Sequence, residues 1–230
     1  MSELVFSPVF GFLLSLGCGS IFWWLRGFKS LSFINPLLFS VVLIITLLQS
    51  LHIPYEAYKK GADIIHLFLG PITVVLALPL YEHKEELLRH KVAIFSGTIL
   101  GSLSSLISIF ILVRVFGLNE LFMHSLLPKS MTTPIGISAS HMLEGIIGLS
   151  VLSIVITGIF GSIIAPLVFK VLGIKSSIAK GVALGTTSHA VGTAKAYEID
   201  NVCGAMSGLS IGLSGLVSIL WIILFQIITT

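Results

Sequence analysis

Residues 181–200, GVALGTTSHAVGTAKAYEID, constrain the fold of this chain more than any other stretch. They are apolar enough to enter a bilayer, yet they carry Ser188, His189 and Lys195. Hydrocarbon offers no hydrogen-bond partners, so polar groups persist at membrane depth only inside protein or beside a water-filled cavity. The stretch therefore predicts a broken helix that lines a site.

Composition places the whole chain among membrane proteins. Of its 230 residues, 55% are hydrophobic and only 10% are charged, which is too few charges to cover the surface of a soluble domain. The length allows several spans of about 20 residues each and leaves no room for a separate soluble domain. We therefore expect an all-α, polytopic membrane protein with a single membrane domain over residues 1–230.

Charge and cysteine usage argue against several classes of function. The net charge of +3 is spread over loops without a long basic cluster, so we expect no nucleic-acid partner. Cys18 and Cys203 lie in apolar surroundings without a CxxC or Cys/His spacing, and both are predicted to be free thiols. We accordingly expect no metal site and no cofactor.

Apolar runs predict the spans, and two further segments look interrupted. The uninterrupted spans are residues 4–25, 31–51, 92–113, 146–169 and 204–228. Residues 64–81 contain Gly70, Pro71 and Pro79, and proline removes a backbone donor, so this helix is predicted to break near its middle. Residues 127–145 are polar and proline-bearing, and whether they cross the bilayer or re-enter stays open at this point.

The halves of the chain pair in order and length when they are offset by about 115 residues. Residues 64–81 then align with residues 181–198. The local sequence similarity is between ALPLYE at 77–82 and AKAYE at 194–198. Paired interrupted segments at matching positions are typical of transporters with a midplane site. We therefore predict two inverted pseudo-repeats, about 1–115 and 116–230, with chance similarity between apolar segments as the alternative.

Loop charges predict the orientation of these halves. Lys84, Arg89 and Lys91 share a face with Lys170 and the lysines that follow it only if the chain crosses an even number of times between residues 114 and 146. This arrangement puts the N-terminus outside and the basic loops in the cytoplasm. Three basic residues do not fit this orientation: Lys59, Lys60 and Arg114.

Polar residues near the breaks are candidates for substrate binding: Lys129, Ser130, Thr132, Thr133, Ser188, His189, Gly192, Thr193 and Lys195. A half-helix that opens at Gly192 and Thr193 would aim free N–H groups and a positive dipole end at a carboxylate. An intramembrane lysine is a natural anion partner. The alternatives are a snorkelling Lys195 paired with Glu198 or Asp200, a His189 that only bonds a freed carbonyl, and hydroxyls that bond back to the preceding turn.

Two further groups have open roles. His141 and Glu144, spaced i, i+3, and His66 are candidates for a proton relay, with a structural ion pair at the membrane edge as the alternative for the first two. Gly204, Gly208 and Gly212 form a small-residue face that allows close helix approach. That face predicts either internal packing or a homo-oligomer contact.

Four segments resemble the LrgB/CidB family of bacterial membrane proteins, and the resemblance covers nearly the whole chain: GTTSHAVGTAKAYE, LPKSMTTPI, IPYEAYKKGADIIHLFLGP and LALPLY. The resemblance implies a holin-like or antiholin-like protein of the cytoplasmic membrane that affects murein hydrolase activity and autolysis with a small LrgA/CidA-type membrane partner. Related members are regarded as pyruvate facilitators, and a plastid relative as a glycolate/glycerate carrier. It therefore also implies transport of a small monocarboxylate.

Three hypotheses stay open from the sequence. The first is a monocarboxylate carrier with alternating exposure of a midplane site. The second is a non-transporting regulator or pore component that acts through its small partner. The third, an intramembrane hydrolase, is disfavoured because Ser188 and His189 are adjacent and point about 100° apart on a helix. We therefore expect no enzyme and no catalytic residue.

Overall fold

The computed structural model describes residues 6–25, 36–68, 71, 74–75, 78–82 and 84–229. Helices and turns account for this part of the chain, and no strand occurs in it, so the predicted all-α class is confirmed. The break predicted around Gly70 falls outside the described residues, as does the start of the span predicted at 4–25. Contacts divide the chain into two units, residues 1–71 and 72–230.

The first unit contains α1 (Pro8–Leu25), α2 (Pro36–Ser50) and α3 (Tyr55–His66). Two glycines bring α1 and α3 together, because a Cβ on Gly11 would collide with the Tyr58 carbonyl and one on Gly61 with the backbone of α1. Ser15 Oγ lies 2.9 Å from Tyr58 Oη beside this crossing. The backbones of the two helices are therefore in direct contact.

The second unit carries the remaining described elements: α4 (Leu78–Glu82), α5 (Lys84–Arg89), α6 (Lys91–Val115), α7 (Glu120–Leu126), a 3₁₀ turn (Leu127–Ser130), α8 (Thr133–Met142), α9 (Ile147–Val171), α10 (Ser177–Ile199) and α11 (Asn201–Thr229). Within the described residues, α6, α9 and α11 are long and apolar enough to cross a bilayer. They occupy the predicted spans 92–113, 146–169 and 204–228. The boundary between the units, at 71, does not coincide with the repeat boundary near 115, and the pseudo-repeats stay a prediction.

The stretch at 181–200 lies in a helical hairpin, which we call hairpin B: α10 forms its two arms, and Asp200 follows the second arm. The backbone of His189 leaves helical geometry, with φ 47° and ψ −131°. The arms fold back on each other, because a Cβ on Gly192 would collide with the Leu184 carbonyl. Ser177 Oγ also donates to Asp200 Oδ2 at 2.7 Å, which joins the two ends of the hairpin. His189 is therefore the tip of a hairpin whose ends lie together.

Asp200 joins hairpin B to α11. Its Oδ1 accepts from the backbone N–H of Cys203 at 2.7 Å, and its Oδ2 accepts from Ser177. These two hydrogen bonds, the Cys203 one first, lower the pKa of the Asp200 carboxyl. The carboxylate thus caps the first turn of α11 and closes the hairpin at the same time.

A second hairpin, hairpin A, consists of α7, the 3₁₀ turn and α8. Its chain reverses at Met131 and Thr132, which have extended backbone. Ser150 Oγ donates to the Ser125 carbonyl before the tip at 2.7 Å and lies 2.8 Å from Ser140 Oγ after it. Residues 120–142 therefore enter and leave at the same end of the unit.

The hairpins enter the second unit from opposite ends. Near the start of α6, Ile94 packs with Val182 in the first arm of hairpin B. Near the end of α6, Val113 packs with Leu143, which follows hairpin A. The orientation predicted from the loop charges stays a prediction.

Replacing Gly185 by alanine will separate hairpin B from α11, because a Cβ at this position would collide with the Ser207 carbonyl. We expect Gly185→Ala to lower the free energy of unfolding by about 1–3 kcal/mol, as overpacking does. Gly148→Ala in α9 is the matched control, since a Cβ there meets nothing within 4 Å. Thermal unfolding in detergent compares them, and equal stability of the two variants would contradict the described packing.

Candidate functional site

The tips of the two hairpins meet at a group of polar residues that we call the tip cluster, made up of Ser105, Lys129, Ser130 and His189. Lys129 Nζ donates to Ser105 Oγ at 3.1 Å, and Ser105 Oγ donates to Ser130 Oγ at 2.7 Å. The imidazole of His189 faces the backbone of Lys129 and Ser130 and lies within range of the Lys129 charge. Hairpin A, hairpin B and the middle of α6 therefore each contribute to one site.

His189 forms the hairpin B side of the cluster. Its side chain is only 5% exposed, and its φ of 47° lies in the left-handed region that disfavours residues other than glycine. Such a backbone costs about 1–3 kcal/mol and persists where its surroundings enforce it, often at functional sites. Among the described residues, Nε2 has no hydrogen-bond partner, although the Lys129–Ser130 backbone faces the ring. This imidazole has unused capacity for a ligand.

Two buried threonine hydroxyls, one on each hairpin, also lack a described hydrogen-bond partner. Thr132 Oγ1 lies at the tip of hairpin A, and Thr186 Oγ1 lies one turn before the tip of hairpin B. Neither has a hydrogen-bond partner within the described part of the chain. A buried polar group left without a partner costs about 1–3 kcal/mol, so a polar ligand that reaches these groups gains that free energy.

Helix N-termini add positive potential at both tips. α8 begins at Thr133, and the side chain of the preceding Thr132 does not cap it. The second arm of hairpin B begins after the break at His189. The first N–H groups of a helix lack partners inside that helix, and the dipole is positive there. Together with the Lys129 ammonium, these ends favour an anion.

Lys129 carries the full charge of the site and is half-buried. No ion pair of Lys129 occurs in the described ranges, and its hydrogen bond there goes to the neutral hydroxyl of Ser105. A lysine at membrane depth is costly unless a counter-charge or water compensates it. The uncompensated charge of Lys129 therefore favours the binding of a negatively charged ligand.

Glycines on the neighbouring spans let the tip of hairpin B sit close. A Cβ on Gly161 of α9 would collide with Ser188 Oγ, and one on Gly158 would lie 3.4 Å from the Ser188 carbonyl. On the other side, a Cβ on Gly101 of α6 would lie 2.9 Å from the Thr186 methyl group. The tip is thus held between α6 and α9.

The predicted residues nearest the breaks divide into two groups. Lys129, Ser130 and His189 come together, and Thr132 and Thr133 lie beside them at the tip of hairpin A. The other group supports the hairpin. Thr193 Oγ1 lies 2.7 Å from Ser207 Oγ on α11, and Gly192 packs on the opposite arm.

The predicted opening of the half-helix at Gly192 is wrong, because the chain turns at His189. The small size of Gly192 serves the close approach of the two arms instead. Ser188 is buried, with its Oγ 3.3 Å from Thr187 Oγ1. Among the described hydrogen bonds, none joins Ser188 to the His189 imidazole.

Three other predicted residues of the second unit are not part of the tip cluster. Lys195 is partly exposed and forms an ion pair with Glu198 at 2.8 Å, which was the alternative reading of this residue. His141 and Glu144 are exposed around the end of α8, and Glu144 adopts a left-handed φ of 56° there. His66 is exposed at the end of α3 in the first unit.

The glycine face of α11 has an internal role at one position. A Cβ on Gly204 would collide with the Tyr197 ring of hairpin B, so this glycine packs against the chain's own helix. Gly212 is buried as well. A homo-oligomer contact through this face stays a prediction.

Ser105 is the cluster residue that the sequence did not reveal. It lies in a run of serines on α6 that includes Ser102, Ser104 and Ser108, each of which bonds back to its own helix. The Ser105 hydroxyl instead bridges Lys129 and Ser130 across the site. Sequence offers no signal that separates it from its neighbours.

The model of the LrgB-like family matches residues 18–227. The chain belongs to the LrgB-like family. It is 39% identical over 183 residues to YxaC of Bacillus subtilis, described as an uncharacterized protein, with 80% of each chain covered. It is 37% identical over 186 residues to the holin-like protein CidB of Staphylococcus aureus (strain N315), with 81% of each covered.

A third relative of this LrgB-like protein is the holin-like protein CidB of Staphylococcus epidermidis (strain ATCC 12228). The two are 36% identical over 185 residues, which covers 80% of this chain and 81% of the relative. No solved structure matches the chain.

Ser105→Ala removes the hydroxyl that holds Lys129, so the ammonium loses its described partner. We expect the free energy of unfolding to fall by about 1.5–3 kcal/mol, the scale of a hydrogen bond to a charged group. Ser104→Ala is the matched control, because its exposed hydroxyl bonds only the Gly101 carbonyl of the same helix. If thermal unfolding in detergent ranks the two variants equally, the bridge from Ser105 does not stabilise the site.

Proposed function

We propose that this LrgB-like protein is a multi-pass carrier of small monocarboxylates, such as pyruvate or glycolate, in the bacterial cytoplasmic membrane. The observation that carries the proposal is Lys129, a half-buried lysine without a described ion pair at the point where two hairpin tips meet. A carboxylate supplies the missing counter-charge. It also accepts hydrogen bonds from hydroxyls that already surround the ammonium.

The chemistry of the cluster favours one negative charge on a small ligand. Lys129 is the cation of the tip cluster, whereas Lys195 is neutralised by Glu198. The unpartnered Thr132 hydroxyl and His189 Nε2 suit the carbonyl or hydroxyl oxygen next to the carboxylate in a 2-oxo or 2-hydroxy acid.

The two hairpins give this proposal a transport mechanism. Because they enter from opposite ends, each tip separates the cluster from one end of the unit. Displacing hairpin A would open the site to one side, and displacing hairpin B would open it to the other. Alternating displacement moves the anion across without a continuous pore, as in carriers with inverted repeats.

Uptake of labelled pyruvate, glycolate and lactate into proteoliposomes tests the proposal. The wild type is expected to take up at least one of these acids saturably. Lys129→Ala should reduce uptake about 10-fold or more, because a charged hydrogen-bond partner of the substrate is lost. Lys195→Ala is the control of equal charge change, and it should retain uptake because its ammonium already pairs with Glu198.

Two results would count against the carrier. One is the absence of uptake of all three acids by folded wild-type protein, and the other is equal activity of Lys129→Ala and Lys195→Ala. Size-exclusion profiles of the variants establish folding independently of transport. His189→Ala, expected to weaken uptake while the hairpin still forms, separates loss of a ligand contact from loss of the site.

A second candidate rests on the names of the relatives, two of which are called holin-like proteins. In this reading the protein does not transport. It controls murein hydrolases and autolysis with a small LrgA/CidA-type membrane partner. A lysis assay with Lys129→Ala distinguishes the two functions, because a regulator keeps its effect in this variant and a carrier loses it.

A further inference from the structure

A cleft of about 370 Å³ lies at the end of α9, outside the tip cluster. Three lysines surround an apolar floor, and together these residues define what we call the basic cleft: Lys170, Lys175, Lys180, Phe169, Ile174 and Ile199. Its volume is within the usual range of small-ligand pockets. The proposed transport mechanism involves none of these residues.

The backbone fixes the cleft through the turn after α9. Ile174 N donates to the Phe169 carbonyl at 2.8 Å and Gly173 N to the Lys170 carbonyl at 3.3 Å. Gly173 takes the left-handed φ of 64° that this helix-ending motif requires. Lys170 and Lys175 are therefore held on either side of one tight turn.

The three positive charges have no described ion pair. The Asp200 carboxylate is near enough to Lys180 for their charges to attract, but the two form no ion pair among the described residues, and one carboxylate leaves a net positive charge among the three lysines. Lys170 and Lys175 are exposed at the rim. Like charges around one small cleft repel each other, so an anion bound among them stabilises the arrangement.

The position of the cleft identifies the kind of anion. Lys170 lies in the last turn of α9, a helix long and apolar enough to cross a bilayer. The rim is therefore at the depth of lipid headgroups, and basic pockets at helix ends bind anionic lipid headgroups. Free phosphate would use the lysines alone, whereas a phospholipid also covers the apolar floor of Phe169 and Ile199.

We propose that the basic cleft binds an anionic phospholipid such as phosphatidylglycerol. The phosphate lies among Lys170, Lys175 and Lys180, and the first part of an acyl chain lies on the apolar floor. Lys180 belongs to the first arm of hairpin B and Ile199 to the second. A lipid in the cleft therefore contacts both arms at the base of the hairpin that carries His189.

Native mass spectrometry of the full chain, loaded with a mixture of phosphatidylglycerol and phosphatidylcholine, tests this site. The wild type should retain phosphatidylglycerol preferentially. Lys170→Gln/Lys175→Gln/Lys180→Gln should abolish the preference, and Lys175→Gln alone should weaken it about fivefold. The matched control, Lys84→Gln/Arg89→Gln/Lys91→Gln, removes three positive charges outside the cleft and should keep the preference.

Equal loss of the preference in the cleft variant and the control would overturn the proposal, since it would show general charge attraction. Retention in the cleft variant would overturn it as well. Lys170→Arg/Lys175→Arg/Lys180→Arg keeps the charge and should bind phosphatidylglycerol like the wild type. If the triple glutamine variant does not fold, the phosphatidylglycerol preference of Lys175→Gln tests the proposal instead. Displacement of the lipid by an equal concentration of inorganic phosphate would assign the cleft to a soluble anion instead.

Discussion

A helix that breaks at membrane depth has to be enclosed by protein, and the second unit is built around two such breaks. The chain leaves helical geometry at His189 and at Met131–Thr132, and each break lies at the tip of a hairpin. The tips cover each other, and α6 and α9 close the remaining sides. Backbone groups that lipid leaves unsatisfied thereby find protein or ligand partners.

Two lysines of the same chain show how this enclosure creates chemistry. Lys195 lies near the end of a hairpin arm, where water is close and Glu198 neutralises it. Lys129 lies next to a tip, where its described partner is a serine hydroxyl that cannot neutralise it. The residue type is the same, but the neighbours differ: the first lysine has a carboxylate partner, and the second has no described counter-charge.

The sequence allowed the three spans that α6, α9 and α11 occupy and the polar candidates to be predicted, because both depend on composition over short stretches. Lys129, Ser130 and His189 were recognisable as polar residues in apolar surroundings. The return of each hairpin was not, since it depends on contacts such as Ser177 with Asp200, which lie 23 residues apart. The turn was predicted at Gly192 and not at His189, because a glycine indicates either a left-handed turn or close packing of helices. Gly192 allows the close packing of the two arms.

The contact between hairpin B and α11 also sets an order for biosynthesis. Gly181 and Gly185 lie directly against the backbone of α11, so the first arm has no complete surface to pack on until that helix is made. Before then, the polar tip around His189 would face lipid, which hydrocarbon disfavours. A helix synthesised after the hairpin therefore completes a site to which it contributes no cluster residue, and a nascent chain that stops before α11 cannot bury the hairpin.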